Sequence, residues 1–355
     1  MESNSINRIT GLDYLRGLAA TGIMIYHYMS WTLGKFDAAS ILGRVGLYGV
    51  SIFYILSGLT LYSVYQKKMQ PGKSDLLDFF KKRGLRIFPL LWLVSLITVM
   101  LYHTPVTFQI VILNMTGLFG FFDWDKSLAI GAWSIGNELV FYVFFPCFVF
   151  LTKNAKWAFY LFALIIFGIS LYFSFFLLDT QSGLMSQWRM YINPLNQVFL
   201  FLGGYLLGYW FNYLNIKTWH NMLLIFGGLI VFILYPVAGD EIELVTGINR
   251  YVLTGCCILI TFGFYKFSLQ LPGFIDLPLK HLGEISYGLY LLHPIFYELS
   301  GSFMKYLALH IYTFPETVRL LLAVGLSFTG SYYIYHYYEK YFMGLARNKA
   351  VLIQK

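Results

Sequence analysis

The chain carries ionisable side chains inside long apolar runs, where a charge costs about 2.5–3.5 kcal/mol on membrane-insertion scales. The first run contains Asp13, Arg16 and His27. Eleven residues of α-helix make three turns plus about 20°, so Arg16 and His27 share one face, about 16 Å apart, with Asp13 close to it. An imidazole, with a pKa of about 6.5, can exchange a proton near neutral pH. The alternatives are an arginine that reaches to the inner membrane interface and a histidine that only packs between helices.

A second polar stripe begins after Trp133, where Ser134, Glu138 and Tyr142 recur at every fourth position. This spacing places the three side chains on one face of a helix. A carboxylate about one turn inside an apolar segment needs a partner, and His27, at a similar depth, would supply one. We therefore predict that Glu138 pairs with His27. A glutamate that simply faces water is the alternative.

The third group, Ser286, Tyr290 and His293, is spaced by four and three residues and again shares a helix face. Pro294 follows directly and frees a backbone carbonyl about one turn earlier. An ionisable residue in the middle of a membrane segment predicts a pocket residue. A histidine that packs against a tyrosine would produce the same pattern.

Two arginines, Arg83 and Arg86, end a basic run and project to one side of a predicted helix. Guanidinium groups bind phosphate through two parallel hydrogen bonds, so the pair suits a polyphosphate at the cytoplasmic side. The alternative is a basic anchor of the kind that many membrane proteins have on that side.

These side chains have to be positioned by a membrane-embedded scaffold. Of the 355 residues, 58% are hydrophobic and 12% are charged, and the charged fraction is about half that of soluble proteins, which disfavours a water-soluble enzyme. A span needs roughly 20 mostly apolar residues, and we predict an all-α bundle of about ten transmembrane helices. The predicted spans are Leu12–Ser30, Val45–Tyr65, Ile87–Tyr102, Ala132–Leu151, Trp157–Leu178, Pro194–Phe211, Met222–Val237, Tyr251–Phe267, Ile285–Leu309 and Val318–Tyr341.

The distribution of basic residues predicts the orientation. With both termini cytoplasmic, 18 of the 25 Lys and Arg fall on the cytoplasmic side, as the positive-inside rule requires. The net charge of +8 then reflects basic cytoplasmic loops rather than nucleic-acid binding. Thr107–Phe122 is apolar but short and contains glycine, so we predict an interfacial or re-entrant segment rather than an eleventh span.

One membrane domain is predicted over residues 1–345, followed by a cytoplasmic tail at 346–355, with no separate soluble domain. Asp13 and Arg16 interrupt the first apolar run, and no cleavage site follows it, so we expect a retained span rather than a signal peptide. The three cysteines lie in apolar runs and predict neither a disulfide scaffold nor a zinc site. No metal-binding or nucleotide-hydrolysis motif occurs, and no metal is expected.

In their order along the chain, these segments resemble the integral-membrane acyltransferase 3 family over nearly the whole sequence. Arg83 and Arg86 are similar to the family's R-x-x-R motif. The segment Trp133–Tyr142 is similar to its W-S-L-x-x-E-x-x-F-Y pattern. Tyr14 stands where glycine is common, and Gly136-Asn137 where Ser-Val is usual. The matching segments are Leu12–Gly17 with His27, Gly49–Gly58, Arg83–Pro89, Trp133–Tyr142, Leu282–His293 and Tyr338–Phe342.

The resemblance implies a bacterial plasma-membrane enzyme that moves an acyl group, acetyl by default, from cytoplasmic acyl-CoA. The acceptor would be a hydroxyl of an extracytoplasmic sugar, polysaccharide or glycolipid, as in exopolysaccharide O-acetylation. Acyl-CoA, the acceptor glycan and the lipid bilayer are the partners implied. In this scheme Arg83 and Arg86 hold the CoA phosphates, and Arg16 lies at the throat of the site, oriented by Asp13.

The catalytic step is then assigned to His27. Its imidazole would take the proton of the acceptor hydroxyl, or would itself carry the acyl group. Glu138 would orient the ring and stabilise its charged form. The substrate pocket is predicted to be lined by Trp133, Ser134, Tyr142, Ser286, Tyr290 and His293.

Two other classes of protein are compatible with the pattern. A transporter or flippase for a polar lipid or glycan precursor would place Arg16, Glu138 and His293 along its path and would not turn over acyl-CoA. Such proteins usually contain an internal repeat, which is not visible here. A structural component of an envelope assembly would tolerate alanine at His27 and Glu138. The spacing of Arg16 and His27, combined with the Trp133–Glu138 segment, favours the enzyme.

Overall fold

A computed structural model describes residues 9–70, 72–103 and 105–347. Over these ranges the chain is helical and forms no β-strand, which confirms the predicted all-α class. Most of the predicted tail at 346–355 and the first eight residues, part of the predicted cytoplasmic N-terminus, lie outside the described residues.

Each of the ten apolar runs coincides with a helix or with consecutive helical segments. A π-helical segment follows α7 at Phe173–Leu177, a second follows α14 at Ile334–Glu339, and a 3-10 helix at Leu184–Gln187 precedes α8. The α-helices are α1 (Thr10–Leu33), α2 (Ile41–Tyr65), α3 (Lys73–Tyr102), α4 (Phe108–Thr116), α5 (Phe119–Phe122), α6 (Trp133–Asn154), α7 (Lys156–Tyr172), α8 (Trp188–Tyr191), α9 (Pro194–Phe211), α10 (Thr218–Leu234), α11 (Ile242–Val245), α12 (Gly247–Tyr265), α13 (Gly273–His310), α14 (Glu316–Tyr333) and α15 (Lys340–Arg347).

Six helical stretches in the described part of the chain are long and apolar enough to cross a membrane, which supports a multi-pass membrane protein. α10 is apolar but shorter. The count of ten spans and the cytoplasmic placement of the termini stay predictions. The six stretches are Ile41–Tyr65, Lys73–Tyr102, Trp133–Asn154, Lys156–Leu177, Gly247–Tyr265 and Glu316–Ala346.

The segment Thr107–Phe122 forms two short helices instead of one. α4 has 9 residues and ends at Gly117, whose φ of 75° is the left-handed conformation that favours glycine. Nine helical residues rise about 14 Å, less than half of the roughly 30 Å of a bilayer core. The indole of Trp92 on α3 donates a hydrogen bond to the Met115 carbonyl over 2.9 Å. The segment therefore forms no single helix long enough to cross a bilayer, and its interfacial or re-entrant placement stays a prediction.

The chain divides into two compact units. Unit 1 comprises the residues up to Gly72 together with Asn137–Glu284, and unit 2 comprises Lys73–Gly136 together with the residues from Ile285 onward. In unit 1, α2 packs along α9 and α1, and α10 packs along α12. A Cβ at Gly58 of α2 would lie 2.9 Å from the Tyr205 amide nitrogen of α9, so this helix pair requires glycine at that position.

A buried arginine joins two helix ends within unit 1. Arg44 near the start of α2 is 2% exposed, and its guanidinium donates five hydrogen bonds to backbone carbonyls, over 2.5–3.4 Å. One acceptor is Ala38, and the other four lie at the C-terminal end of α10 and just beyond it, at residues 232–237. Terminal helix carbonyls have no partner within the helix, and a cation is favourable there because of the helix dipole. Arg44 thus closes the end of α10.

Candidate active site

Arg16 is fixed in unit 1 by side chains from two helices. Its Nη1 donates to Asp13 Oδ1 over 3.0 Å, one turn earlier on α1, and its Nη2 donates to Thr60 Oγ1 of α2 over 3.2 Å. The Arg16 side chain is 18% exposed and that of Asp13 is 7% exposed. The structure therefore brings together the predicted pair of Asp13 and Arg16, and adds Thr60 to it.

The carboxylate of Glu138 in unit 1 is held by two hydroxyl groups. Ser57 of α2 donates to Glu138 Oε1 over 2.7 Å, and Tyr142, one turn later on α6, donates to the same oxygen. Glu138 Oε2 makes no hydrogen bond to any residue that the structure describes. Two donors on one oxygen fix the direction of the carboxyl group, while the second oxygen remains available.

α2 connects these two groups. Ser57 and Thr60 are three residues apart, so Glu138 and Arg16 are bound to α2 at levels about 4.5 Å apart along its axis. Tyr54, three residues before Ser57, accepts a hydrogen bond from Asn137 Nδ2 over 3.1 Å. One helix therefore sets the relative positions of the carboxylate and the guanidinium that the sequence analysis singled out.

His27 lies on α1, two turns before the helix ends at Leu33. Its half-buried ring stacks on Trp31, with ring centroids 5.1 Å apart and planes 10° apart, and the Tyr26 ring lies at 5.2 Å. Stacking against an indole restricts the plane of the imidazole. The hydrogen bonds of Glu138 go to Ser57 and Tyr142, and its pairing with His27 stays a prediction.

A loop carboxylate contacts the residue beside His27. Glu241, between α10 and α12, accepts a hydrogen bond from the Tyr26 hydroxyl over 2.7 Å. Burial raises the pKa of this carboxyl group, against the opposing effect of the Tyr26 hydroxyl. The sequence analysis did not identify Glu241, because it lies outside the apolar runs.

In unit 2, two of the predicted pocket residues contact each other. Ser134 Oγ and Tyr290 Oη are 2.8 Å apart, and each lies 3.0 Å from the Gly131 carbonyl oxygen, so the three oxygens form one cluster in which each hydroxyl has a single proton to donate. His293 is buried, with Nδ1 lying 3.1 Å from the Leu289 carbonyl of its own helix. Ser286 is also buried on α13.

The remaining predicted pocket and phosphate-binding residues of unit 2 lie on α6 and α3. Trp133 begins α6 and is half-buried. The Arg83 guanidinium lies 6.0 Å from the centre of the Phe79 ring. Arg86 is exposed and makes no hydrogen bond to any described residue, so its five donors are available to a ligand.

Six of the predicted site residues thus form three hydrogen-bonded pairs: Asp13 with Arg16, Glu138 with Tyr142, and Ser134 with Tyr290. The catalytic and binding roles stay predictions. Ser57 and Thr60 were not singled out individually. A sequence signal was present for Ser57, which lies within the family-like segment Gly49–Gly58, whereas none marks Thr60. Among the described residues, no group of three or more His, Cys, Asp or Glu could hold a metal ion.

Comparisons with known proteins match most of the chain. The family model of acyltransferase 3, described as an acyltransferase domain, matches residues 9–336. O-acetyltransferase OatA of Staphylococcus aureus (strain NCTC 8325 / PS 47) is 24% identical over 89% of this chain and 55% of its own length. Peptidoglycan O-acetyltransferase OatA of Listeria monocytogenes serovar 1/2a is 24% identical over 90% of this chain and 53% of its own length. The chain spans about half the length of these relatives, and no solved structure matches it significantly.

Proposed function

Because this chain belongs to the acyltransferase 3 family, we propose that it is a membrane O-acyltransferase that uses acyl-CoA, in the first instance acetyl-CoA. The acceptor in this proposal is a hydroxyl group of a sugar, polysaccharide or glycolipid on the outer side of the bacterial plasma membrane. Two relatives named as O-acetyltransferases support the reaction class, and the name of one of them adds peptidoglycan to the acceptors to be tested.

The observation that carries the proposal is the arrangement around Glu138. One oxygen of this carboxylate is held by Ser57 and Tyr142, and the other makes no hydrogen bond to a described residue. A carboxylate that is fixed on one side and open on the other is suited to orienting a histidine and stabilising its charged form. His27, with its ring plane restricted by Trp31, is the proposed partner.

The proposed step conserves atoms and charge. His27 takes the proton of the acceptor hydroxyl while the acceptor oxygen attacks the thioester carbonyl carbon, and the carbon–sulfur bond breaks. The CoA thiolate then takes the proton from the imidazolium. An alternative route forms an acyl-histidine first and passes the acyl group to the acceptor in a second step.

The donor would be held by charge on the cytoplasmic side. CoA phosphates cannot enter hydrocarbon, so Arg83 and Arg86 would bind them, while the thioester arm reaches past Arg16. The hydrogen bonds of Arg16 to Asp13 and Thr60 fix its guanidinium within unit 1. The proposal that the acyl group passes from the cytoplasmic to the outer side of the membrane rests on the predicted orientation of the chain.

The test is complementation of a deletion strain, with envelope glycans scored for ester groups. We expect His27→Ala to abolish the esters that the wild-type chain restores. His310→Ala is the matched control, because His310 is an exposed histidine of α13 and should leave ester levels unchanged. Normal ester levels with correctly inserted His27→Ala protein would refute the mechanism.

The purified protein separates the enzyme from a transporter. In proteoliposomes, an acyltransferase releases CoA thiol from acetyl-CoA when an acceptor glycan is supplied. A flippase for a polar lipid or glycan precursor would leave acetyl-CoA intact and still move its cargo. Absence of CoA release with the wild-type chain and its envelope glycans would therefore favour transport.

A further inference from the structure

Arg250 of α12 carries a buried guanidinium that the proposed reaction does not use. It is 3% exposed and forms no ion pair with any residue that the structure describes. Its Nη1 donates to Asn196 Oδ1 over 2.6 Å, its Nη2 donates to the Asn196 carbonyl over 2.8 Å, and its Cζ lies 4.9 Å from the centre of the Phe199 ring. All of these partners are neutral. A buried charge without a counter-ion is costly, so this guanidinium needs a further source of stabilisation.

The helix dipoles increase the cost. Arg44 lies against the C-terminal end of α10, where the dipole favours a cation, and its donors bind carbonyls. Arg250 lies in the first turn of α12, and its partner Asn196 lies in the first turn of α9, so it is next to the positive ends of two helices. A cation is unfavourable at such an end, whereas an anion is favourable. The setting of Arg250 therefore favours a negative charge beside it.

A cavity lies beside the guanidinium, within unit 1. It has a volume of about 10 Å³, the size of one water molecule or one small ion. The polar residues in its wall come from three helices that pack together, α2, α9 and α12. They include Tyr48 and Ser51 of α2, Gln197 of α9, and Arg250 and Thr254 of α12. Empty cavities in proteins are apolar, so a cavity with this wall is suited to a polar or charged guest.

Several hydrogen-bond donors of the cavity wall have no other partner. Ser51 is 6% exposed, and its hydroxyl makes no hydrogen bond within the described part of the chain. Arg250 uses two of its five N–H donors, and the other three bind no described residue. Gln197 Nε2 donates to the Tyr191 carbonyl over 2.6 Å and retains its second N–H. A guest that accepts hydrogen bonds and carries a negative charge would satisfy these donors together.

We propose that this cavity is a binding site for one small monovalent anion, and chloride is the ion to test. A water molecule could accept a hydrogen bond there but would leave the guanidinium charge without a counter-ion. An anion accepts from both Arg250 and Ser51 and neutralises that charge. Because the wall belongs to α2, α9 and α12, the bound ion holds these three helices together and stabilises the folded chain.

The thermal stability of the purified full-length protein in nanodiscs tests the proposal. Sodium chloride is exchanged for sodium gluconate at constant ionic strength, because gluconate is an anion too large for the cavity. We expect chloride to raise the Tm of the wild type by about 2 °C or more and the rise to level off, as for a ligand that binds the folded state. Bromide should act in the same way, and a crystal grown in bromide should give an anomalous peak between Arg250 and Ser51.

Two variants identify the cavity as the site. Ser51→Ala removes one donor and keeps the guanidinium, so the chloride concentration that gives half of the Tm rise should increase about tenfold. Arg250→Gln removes the charge and should abolish the rise. Arg319→Gln is the matched control, because Arg319 is paired with Glu316 over 2.8 Å in unit 2, and it should retain the wild-type rise.

An equal Tm of the wild type in chloride and gluconate would overturn the proposal and would mean that water fills the cavity. A chloride effect of wild-type size in both Ser51→Ala and Arg250→Gln would also overturn it, because the ion would then act elsewhere. Should Arg250→Gln fail to fold, Ser51→Ala and the position of the bromide peak decide between the two results. The measurement needs no acyl donor, so its outcome is independent of the proposed acyl transfer.

Discussion

The Ser57 hydroxyl donates a hydrogen bond to Glu138 Oε1 over 2.7 Å and so ties α2 to the carboxylate of α6. Ser57 is half-buried, and its neighbour Gly58 packs against the backbone of α9. The serine that orients the Glu138 carboxylate is therefore adjacent to the glycine that allows α2 to pack closely against α9. This proximity explains how a single segment of α2 can combine a packing role with a role in the site.

Ser57→Ala is expected to lower kcat about tenfold or more, because a hydrogen bond to a charged group contributes about 1.5–3 kcal/mol. Ser57→Thr keeps the hydroxyl and should retain most of the activity. Ser63→Ala is the control, since Ser63 lies on the same helix and donates to the Leu59 carbonyl. Activity is measured as CoA release in proteoliposomes, and an unchanged kcat for Ser57→Ala would show that Tyr142 alone orients Glu138.

Thr60→Val removes the second anchor of Arg16 while keeping the shape of the side chain. The lost hydrogen bond contributes about 0.5–1.5 kcal/mol, so we expect a decrease of several-fold in kcat/KM for acetyl-CoA. Asp13→Asn should have a larger effect, because it removes the charge that pairs with Arg16 over 3.0 Å. Thr329→Val, at an exposed hydroxyl of α14, is the control. Equal kinetics for Thr60→Val and wild type would contradict a role for Thr60.

The positions of the helices could be predicted from the apolar runs, since each run coincides with a helix. Contacts between helices could not, because they depend on the rotation of each helix about its axis. Thr60 shows this: it stands out neither by type nor by spacing, and it is recognised only by its hydrogen bond to Arg16 in the fold. Ser134 and Tyr290 were predicted on separate helices, and their 2.8 Å contact requires the tertiary structure.

Arg44 illustrates a different limit. The sequence analysis did not single out Arg44, and no acidic partner identifies it. Its acceptors are backbone carbonyls, mostly about 190 residues away along the chain, which no side-chain pattern can indicate. A buried charge that is satisfied only by the backbone is therefore recognisable only from the structure.

Arg44→Met is expected to destabilise the protein by at least about 3 kcal/mol, because it leaves several buried carbonyls without a donor. The Tm of the purified protein should fall by about 5 °C or more. Lys68→Met is the control, as Lys68 is exposed near the other end of α2. A Tm within one degree of wild type for Arg44→Met would mean that water replaces the guanidinium at the end of α10.

Gly283→Ala tests the close approach of α13 to α1. A Cβ at Gly283 would lie 2.7 Å from the Cβ of Asp13 and nearer still to its carbonyl oxygen. Overpacking of this kind costs about 1–3 kcal/mol, and it would displace the residue that pairs with Arg16. We expect a lower Tm and lower activity together. Gly273→Ala, at the start of the same helix and in open space, should leave both unchanged or raise the Tm slightly. Equal behaviour of the two variants would contradict the packing argument.

The buried carboxyl group of Glu241 predicts how the stability of the fold depends on pH. Burial raises the pKa of its carboxyl group in the folded protein, although the Tyr26 hydroxyl opposes this, so folding favours the protonated form. A group with a raised pKa stabilises the fold fully below its unfolded pKa of about 4.3, and this contribution is lost as the pH rises through the folded pKa. Glu241→Gln mimics the protonated form and can still accept from Tyr26. It should therefore have a higher Tm than wild type at pH 7.

The comparison has to be made as a difference between the two proteins, because the neighbouring Asp240 responds in the opposite direction. Burial acts to raise the pKa of Asp240, but the Leu184 and Ile242 amides and the charge of Lys35 lower it overall. Its contribution to stability is present above the unfolded pKa and is lost on acidification. This loss occurs in both wild type and Glu241→Gln, so the difference between them reports Glu241 together with its repulsion by Asp240. The Tm advantage of Glu241→Gln should shrink as the pH falls through the raised folded pKa towards the unfolded pKa of about 4.3. An advantage that grows on acidification would mean that Glu241 is charged in the fold and stabilises it.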